Sequence, residues 1–462
     1  MSKNGADKMG IMPVNKLLIS MSLPMMISML VQALYNVVDS IFVAQINEDA
    51  LTAVSMAFPM QTLMVAASGG IGVGINALLS RSLGEKNREL ADKAAVNGLF
   101  LGLIAYIIFL IAGIFAVKPF YVFQTGDVNS PITRYGIEYL SWVMICGFGL
   151  YTQMLSERLL ISTGRTLYSM ITQTVGAIIN IILDPIMIFG LLGFPKLGVA
   201  GAAIATVTGQ CVAAALAIVF NIKKNHDITI SFKGFRPDKA VIRTILSVGI
   251  PSMIMQAIGS VMTFSFNKLL IWFSSTAVAV FGIYFKINSI IFMPIFGLNN
   301  GMVPIVAYNL GAKNRKRLLK TVKYSIIYAM SLMLIGLAVI ELIPDKILLL
   351  FNASEKMLEI GVPALRIICL SFVFAGCAIV LSSLFQAMGH GLFSMFVSLI
   401  RQLFVLLPSA FILALIGKHY GNDVSYIWWS FNIAEIASIA ASLFFYRRLY
   451  KNTISKIPLG TD

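Results

Sequence analysis

Charged residues are scarce in this sequence, and their scarcity excludes an ordinary soluble fold. Asp, Glu, Lys and Arg make up 12% of the 462 residues, whereas 58% are hydrophobic, and the mean hydropathy is +0.86. Soluble domains carry about 25% charged and about 45–50% apolar residues. This composition cannot supply a water-soluble surface, so we expect most of the chain to lie in a membrane.

Residues that build disulfide, metal and nucleotide sites are also few. The four cysteines lie in apolar stretches, and the three histidines are far apart, in or beside predicted loops. Neither an HExxH pattern nor a GxxxxGK[ST] phosphate loop occurs in the chain. We therefore expect no disulfide framework, no histidine or cysteine metal site, no cofactor and no ATP-driven step.

Long apolar runs predict an all-α integral membrane protein. Residues 98–117, 321–343 and 392–416 reach the roughly 20 residues that a helix needs to cross about 30 Å of hydrocarbon. The alternating polarity of a membrane barrel is absent. The first apolar stretch, 17–44, lacks a cleavage site and is too long for a signal-peptide core. The twelve predicted spans are 16–44, 51–80, 92–117, 132–158, 166–193, 198–222, 241–273, 277–309, 319–343, 357–386, 391–417 and 424–446.

The net charge of +15 is concentrated in alternate loops. The loop 45–50 carries only Glu48 and Asp49, whereas basic residues follow the second, sixth and eighth spans and fill the tail. By the positive-inside rule, both termini are then cytoplasmic. This distribution accounts for the charge without a nucleic-acid partner. The basic segments are 81–93, 223–243, 313–323 and 447–456.

The chain contains an internal duplication. The Leu-Gly-x-Lys-Asn-Arg segment 83–88 recurs as 310–315, and Pro24 recurs as Pro251, both at an offset of 227. Halves with an even number of spans run the same way through the membrane, so a pseudo-two-fold axis along the membrane normal should relate them. The predicted units are an amino-terminal six-helix bundle (1–222), a cytoplasmic basic linker (223–240) and a carboxy-terminal six-helix bundle (241–462).

Two acidic residues, Asp39 and Asp184, interrupt apolar sequence in the first half. A charge at a helix centre costs about 2.5–3.5 kcal/mol even on the lenient insertion scale, so such residues are candidates for function. The offset of 227 puts Phe266 opposite Asp39. Further along the chain the repeat offset is 225, which aligns Gly164 with Gly389 and puts Ser409 opposite Asp184, so the fold itself does not require the acids. The alternative is that each acid pairs with a buried base or caps the kink at Pro185.

Polar neighbours of the two acids fit a cation site. Tyr35 precedes Asp39 by four residues, and Asn180 precedes Asp184 by four, so each shares a helix face with its acid. Oxygen atoms converging there would hold Na⁺ at Asp39, Asn180 and Asp184, or the carboxylates would share a proton.

Other intramembrane charges have less defined roles. Glu157 and Arg158 lie near a predicted cytoplasmic helix end, where we expect Glu157 to be solvated and Arg158 to reach the headgroups. Lys268, Lys286 and Arg401 belong to the second half and are candidates to face a cavity. The 24 methionines suit an adaptable cavity lining, although ordinary packing accounts for most of them.

With these residues in view, the chain resembles the multidrug and toxic compound extrusion (MATE) transporters over nearly its whole length. The matching elements are the Leu-Pro start of the first span with Asp39, the Leu-Gly-x-Lys-Asn-Arg loop in both halves, the Asn180-x-x-x-Asp184-Pro185 segment and the segment 198–206. The order and spacing of these elements carry the resemblance.

The resemblance implies a V-shaped pair of six-helix bundles. It also implies secondary active export of small organic compounds, drug-like and often cationic and amphipathic, in exchange for H⁺ or Na⁺ by alternating access. We expect a monomer in the lipid bilayer of a cell membrane, such as a bacterial inner membrane. The family's cation site falls on Asp39, Asn180, Asp184, Thr206 and the backbone carbonyl of Ala202, with Tyr35 beside it. Candidate residues for a substrate cavity are Asn36, Met60, Gln256, Met262, Lys286 and Arg401.

The second half departs from one branch of the family. That branch carries acids on its seventh and tenth spans, where this chain shows Gln256 and Gln386. The departure favours DinF-like and MepA-like relatives over NorM-like ones. Alternatives from the sequence are a lipid or polysaccharide flippase of the same superfamily, a membrane-embedded enzyme and a channel. Nothing resembles a nucleophile elbow or a selectivity filter, so we do not expect an enzyme or a channel.

Overall fold

The computed structural model describes residues 6–351, 353–421 and 423–460, and the regular structure there is helical. The helices of the first half are α1 (Asp7–Ile11), α2 (Val14–Ala44), α3 (Glu48–Gly84), α4 (Arg88–Phe115), α5 (Val117–Thr125), α6 (Pro131–Ile145), α7 (Phe148–Ser162), α8 (Thr166–Phe189) and α9 (Val199–Lys224). Those of the second half are α10 (Lys239–Leu270), α11 (Ser275–Gly311), α12 (Arg315–Leu342), α13 (Pro344–Leu349), α14 (Glu355–Cys369), α15 (Phe372–Ala387), α16 (Gly391–Leu399), α17 (Leu407–His419) and α18 (Ser425–Asn452). A π-helical segment, Ile400–Leu406, joins α16 to α17.

Ten helices in the described part of the chain are long and apolar enough to cross a membrane, with Gly391–His419 taken as one. The pair α14 and α15, bent by 50°, supplies an eleventh span. Helices α6 and α7, of 15 residues each, begin 224 residues before α14 and α15 and take the same place in the first half. Counted as one interrupted span, they complete the twelve. The predicted span 132–158 is therefore broken at Cys146 and Gly147.

The repeated loop motif forms the same turn twice. Its lysines, Lys86 and Lys313, adopt left-handed backbone conformations with φ of 57° and 53°. The asparagine that follows each lysine caps the next helix: Asn87 accepts a hydrogen bond from the Leu90 amide, and Asn314 accepts one from the Arg317 amide, each at 3.0 Å. An asparagine at this position satisfies an amide that the helix itself leaves free. The motif thus sets where α4 and α12 begin.

The two halves pack most closely at the end that bears these turns, the predicted cytoplasmic end. A Cβ placed on Gly70 of α3 would lie 2.6 Å from the carbonyl oxygen of Gly249 on α10. Gly74 meets the Ile245 carbonyl in the same way, and Gly84 at the end of α3 meets the Tyr308 carbonyl of α11. Only glycine permits such an approach of two helix backbones.

The start of the chain is fixed to this closed end. Arg317 of α12 donates hydrogen bonds to the backbone carbonyls of Met9 at 3.2 Å and Met12 at 2.6 Å. Asn309 of α11 donates to the Met9 carbonyl at 3.3 Å, and the Met9 side chain is fully buried. Helix α1 therefore docks on the second half, whereas the outer part of α2 contributes to the first. The division at residues 223–240 stays a prediction.

Candidate functional site

A cavity of about 620 Å³ lies within the first half, between α2, α3, α6, α7, α8 and α9. It extends from Ser40 and Ser55, near the end opposite the closed contacts, to a floor formed by Glu157 and Arg158. Its wall is mixed, with polar groups set among apolar side chains. The methionines in the wall are Met25, Met29, Met64 and Met154.

The predicted cation-site residues come together at this cavity. Asp39, Asn180, Thr206 and Tyr35 line it, whereas Asp184 lies behind Asn180 and is fully buried. Asn180 Nδ2 donates to Asp184 Oδ1 at 3.4 Å and to Thr206 Oγ1 at 3.2 Å. The amide thus joins α8, which carries both Asn180 and Asp184 one turn apart, to α9.

Close packing of α8 against α9 brings Asn180 and Thr206 within hydrogen-bonding distance. A Cβ on Gly209 of α9 would lie 2.6 Å from the carbonyl oxygen of Gly176 on α8, so both positions need glycine. Thr206 lies one turn before Gly209 and therefore faces Asn180. Ala202, a further turn away, is fully buried among the core residues of the first half.

Three oxygen atoms in this cluster are buried and accept no hydrogen bond: Asp39 Oδ1, Asp184 Oδ2 and Asn180 Oδ1. In the part of the chain that the structure describes, no ion pair joins either acid to a base. Buried acceptors without partners are costly, and a fold keeps few of them. Oxygen acceptors that lack donors suit a proton or a hard cation such as Na⁺.

Two tyrosines stand beside the carboxylates. Tyr35 on α2 and Tyr139 on α6 both lie within range of an electrostatic interaction with Asp39 and Asp184. Gln61 of α3 donates a hydrogen bond to the Tyr139 hydroxyl at 3.1 Å. Sequence reasoning missed Tyr139 and Gln61, because an isolated tyrosine or glutamine in an apolar helix carries no sign of the helix it faces.

The floor of the cavity differs from the sequence-based expectation. Glu157 is only 8% exposed and accepts hydrogen bonds from Gln153 at 3.1 Å and Thr172 at 2.9 Å, so the expectation that it is solvated at a helix end is wrong. Arg158 does not reach toward the headgroups but donates to Asn300 of the second half at 2.8 Å. Both residues lie inside the protein because α7 packs against α3 and α8 there.

Of the six residues predicted for a substrate cavity, only Asn36 lines this one. Met60 packs against the core of the first half, and Met262 is buried in the core of the second. Gln256 is exposed beside Gly69, outside the cavity wall. The remaining two engage partners elsewhere: Lys286 lies 5.8 Å from the Phe351 ring, and Arg401 pairs with Glu435 at 3.0 Å.

Aromatic packing fills the second-half position that corresponds to Asp39. Phe266 is fully buried, with its ring centroid 4.7 Å from that of Phe281 and 5.1 Å from that of Phe431. The two halves therefore share a backbone plan but differ in polarity, and the uncompensated acids of the cluster belong to the first half.

A duplicated bundle of membrane-spanning helices, with a deep cavity and beside it two intramembrane acids that pair with no base in the described residues, defines a polytopic membrane protein of the transporter type. The MatE family model matches residues 24–186 and again 251–412, and the chain belongs to that family. The second match begins 227 residues after the first, which confirms the duplication inferred from the loop motifs. Members of this family are transporters, not enzymes.

Known relatives and solved structures are similar to this chain over nearly its whole length. The multidrug export protein MepA of Staphylococcus haemolyticus (strain JCSC1435) is 28% identical over 455 residues, which are 96% of each chain. A MATE crystal structure in complex with MaL6 has a TM-score of 0.90 at 27% identity and covers 99% of this chain and 100% of that one. An outward-facing multidrug resistance MATE family transporter has a TM-score of 0.88 at 27% identity, covering 96% and 97%. The predicted family and the twelve-helix, two-bundle fold are confirmed.

Proposed function

We propose that this protein is a secondary active multidrug exporter that exchanges drug-like, cationic amphipathic compounds for H⁺ or Na⁺. The observation that carries the proposal is the set of unpartnered buried oxygens on Asp39, Asn180 and Asp184 beside the cavity. Related chains with the name multidrug export protein support the same function.

Ion binding at this cluster provides a route to coupling. Asp39 belongs to α2 and Asp184 to α8, and the charge of Asp39 acts on Asp184. A bound proton or Na⁺ removes the repulsion between the two carboxylates and so changes which arrangement of α2 and α8 is stable. If the ion favours one arrangement and the substrate the other, the two ligands exchange through a shift in population.

The cavity wall suits a cationic amphipathic substrate. Met25, Met29 and Phe58 offer flexible and aromatic contact surface, and methionine-rich surfaces adapt to ligands of different shape. Asp39 in the wall adds negative charge, which attracts organic cations, whereas at the floor the charge of Glu157 is offset by that of Arg158 beside it. Charge and adaptable apolar surface together favour many cations of one chemical type rather than a single compound.

We infer that the packing of the halves is that of an outward-open state. The close glycine contacts lie at the predicted cytoplasmic end, and the cavity extends from Glu157 toward Ser40 and Ser55 at the opposite end. The similarity to an outward-facing relative supports this assignment. Because one chain forms the whole cavity, a monomer in the inner membrane is sufficient for transport.

Reconstituted transport tests the proposal. Purified protein in proteoliposomes loaded with a fluorescent lipophilic cation should move the dye only when a H⁺ or Na⁺ gradient is imposed. Asp184→Asn should abolish this movement, whereas Asp345→Asn, at an exposed acid in the second half, should retain it. Gradient-driven transport in Asp184→Asn, or movement of labelled lipids in place of the dye, would contradict the proposal and favour a flippase in the second case.

A further inference from the structure

Arg158 crosses from the first half to the second at the floor of the cavity. Its aliphatic part lies against Gly72 of α3, where a Cβ would stand 2.6 Å from Arg158 Cγ. Its Nη1 then donates a hydrogen bond to Asn300 Oδ1 on α11 at 2.8 Å. Because Gly72 has no side chain, Arg158 can extend past α3 and its guanidinium can contact the second half.

This contact lies between the cavity and the closed end. Arg158 itself lines the cavity, and the Gly74 contact with Ile245 and the Gly84 contact with Tyr308 follow toward the predicted cytoplasmic end. Those glycine contacts are backbone packing without directional bonds. The Arg158 bond to Asn300 is directional and involves a charged donor, the strongest class of single hydrogen bond in proteins.

The fold does not need this bond. At the repeat offsets of 225 and 227, Arg158 corresponds to Ser383 and Asn300 corresponds to Val73. A serine and a valine cannot form the equivalent contact, so the pseudo-symmetric position lacks it. The bond is an addition to one side of a duplicated architecture, at the place where the halves must separate if the cavity is to open toward the cytoplasm.

The cost of breaking the bond is limited by the position of the guanidinium. Because Arg158 lines the cavity and is only partly buried, water in the cavity can solvate its guanidinium when Asn300 withdraws. If the guanidinium were fully buried, separation from its partner would strongly destabilise the protein, and the contact would be permanent rather than reversible.

We propose that Arg158 is the gating residue of the predicted cytoplasmic end: its bond to Asn300 holds the two halves together while the cavity faces outward and is released when the cavity opens inward. This inference rests on the proposed transport function, in which the halves separate and rejoin. Arg158 acts here through Asn300 and the helix positions, as a positioning residue.

Thiol labelling measures the gate without any transport assay. In a background with Cys146, Cys211, Cys369 and Cys377 replaced by serine, two reporters are used separately. Ser55→Cys, in the exposed part of the cavity wall, should react with a membrane-impermeant maleimide from outside. Ser252→Cys, buried on α10 one turn from Gly249, should react from the cytoplasmic side of inside-out vesicles only when the halves separate.

Arg158→Ala should slow labelling of the Ser55→Cys reporter and speed labelling of the Ser252→Cys reporter. The expected change in the ratio of the two rates is roughly tenfold, as for loss of a hydrogen bond to a charged group. Asn300→Ala should give the same change, and the double variant should add little to either. Asn300→Asp, which keeps the shape and turns the bond into an ion pair, should shift the ratio in the opposite direction.

Arg134→Ala is the matched control, because Arg134 is exposed and pairs with Glu138 of its own helix. Labelling ratios for Arg158→Ala and Asn300→Ala that match this control would overturn the gate, as would a shift by Asn300→Asp in the same direction as Asn300→Ala. If Arg158→Ala does not fold, the two Asn300 variants still decide. Labelling needs neither substrate nor ion gradient, so failure of the gate and failure of ion-coupled export are separate outcomes.

Discussion

The glycine contact between Gly70 and Gly249 provides a graded test of how tightly the predicted cytoplasmic end is closed. In Gly70→Ala, the new Cβ would stand 2.6 Å from the Gly249 carbonyl oxygen, whereas ordinary contact begins at 3.4 Å. Helices α3 and α10 must therefore separate by about 0.8 Å, or the closed packing is strained. Overpacking of this kind costs about 1–3 kcal/mol, which corresponds to a shift of roughly 5- to 150-fold in a two-state equilibrium.

We expect Gly70→Ala to favour the arrangement in which the halves part at this end. The rate of labelling of the Ser55→Cys reporter from outside should fall, and that of the Ser252→Cys reporter from the cytoplasmic side should rise. Gly282→Ala is the matched control, because nothing lies within 4 Å of a Cβ at that spanning-helix glycine. If Gly70→Ala labelled like Gly282→Ala, the close contact would not hold the end shut, and the account of the closed state would be wrong.

Three further predictions follow from the loops, the absent phosphate loop and the site. Lys233→Cys and Lys316→Cys should react only with reagents that reach the cytoplasm and Asn47→Cys only from outside; reaction of Asn47→Cys and Lys233→Cys from the same side would contradict the twelve-span topology. Export by proteoliposomes without ATP should proceed under an ion gradient and stop when both ion gradients collapse. Export that persisted without either gradient and depended on added ATP would refute secondary transport. Asn180→Ala should raise the Na⁺ concentration for half-maximal export if sodium is the coupling ion, because it removes the oxygen ligand Asn180 Oδ1. If H⁺ is the coupling ion, the same change should lower the H⁺ concentration for half-maximal export by roughly 10- to 150-fold, because it removes the hydrogen bond that Asn180 donates to the ion-free Asp184 carboxylate. An unchanged value would place ion binding elsewhere.

Some of this structure was predictable because its causes are local. The turn formed by Lys86 and Asn87 repeats wherever the motif repeats, so the duplication is visible in sequence. Asp39 and Asp184 stand out because charge in apolar sequence is costly wherever it occurs. The four-residue spacing alone puts Asn180 and Asp184 on one helix face, and in the structure Asn180 Nδ2 lies 3.4 Å from Asp184 Oδ1.

Contacts between helices were not predictable, because spacing gives the depth of a residue but not the helix it faces. Arg158 and Asn300 are 142 residues apart in sequence, and nothing in either segment names the other. Glu157 was expected to be solvated because it lies beside Arg158 near a predicted cytoplasmic helix end, whereas packing of α7 against α8 brings Thr172 within hydrogen-bonding distance of it. Arg401 was expected to face a cavity because its partner, Glu435, lies on another helix and the sequence does not show that the two residues meet.

The break in the fourth predicted span, between α6 and α7, follows the same rule. The apolar stretch 132–158 predicts one helix, but the structure ends α6 at Ile145 and begins α7 at Phe148. A Cβ at the intervening Gly147 would lie 2.8 Å from the methyl carbon of Met64, on α3. Hydropathy averages over such a residue and carries no sign of its close neighbour on another helix.

Exchange of an ion for a substrate at the Asp39 and Asp184 cluster is tested most directly by measuring ion release on substrate binding. Purified protein in weakly buffered detergent solution, mixed with a lipophilic organic cation, should release protons, or bound ²²Na⁺ if sodium is the coupling ion. Asp39→Asn and Asp184→Asn should bind the same compound without that release. Equal release from the wild-type protein and from both variants would show that the coupling ion is held elsewhere in the chain.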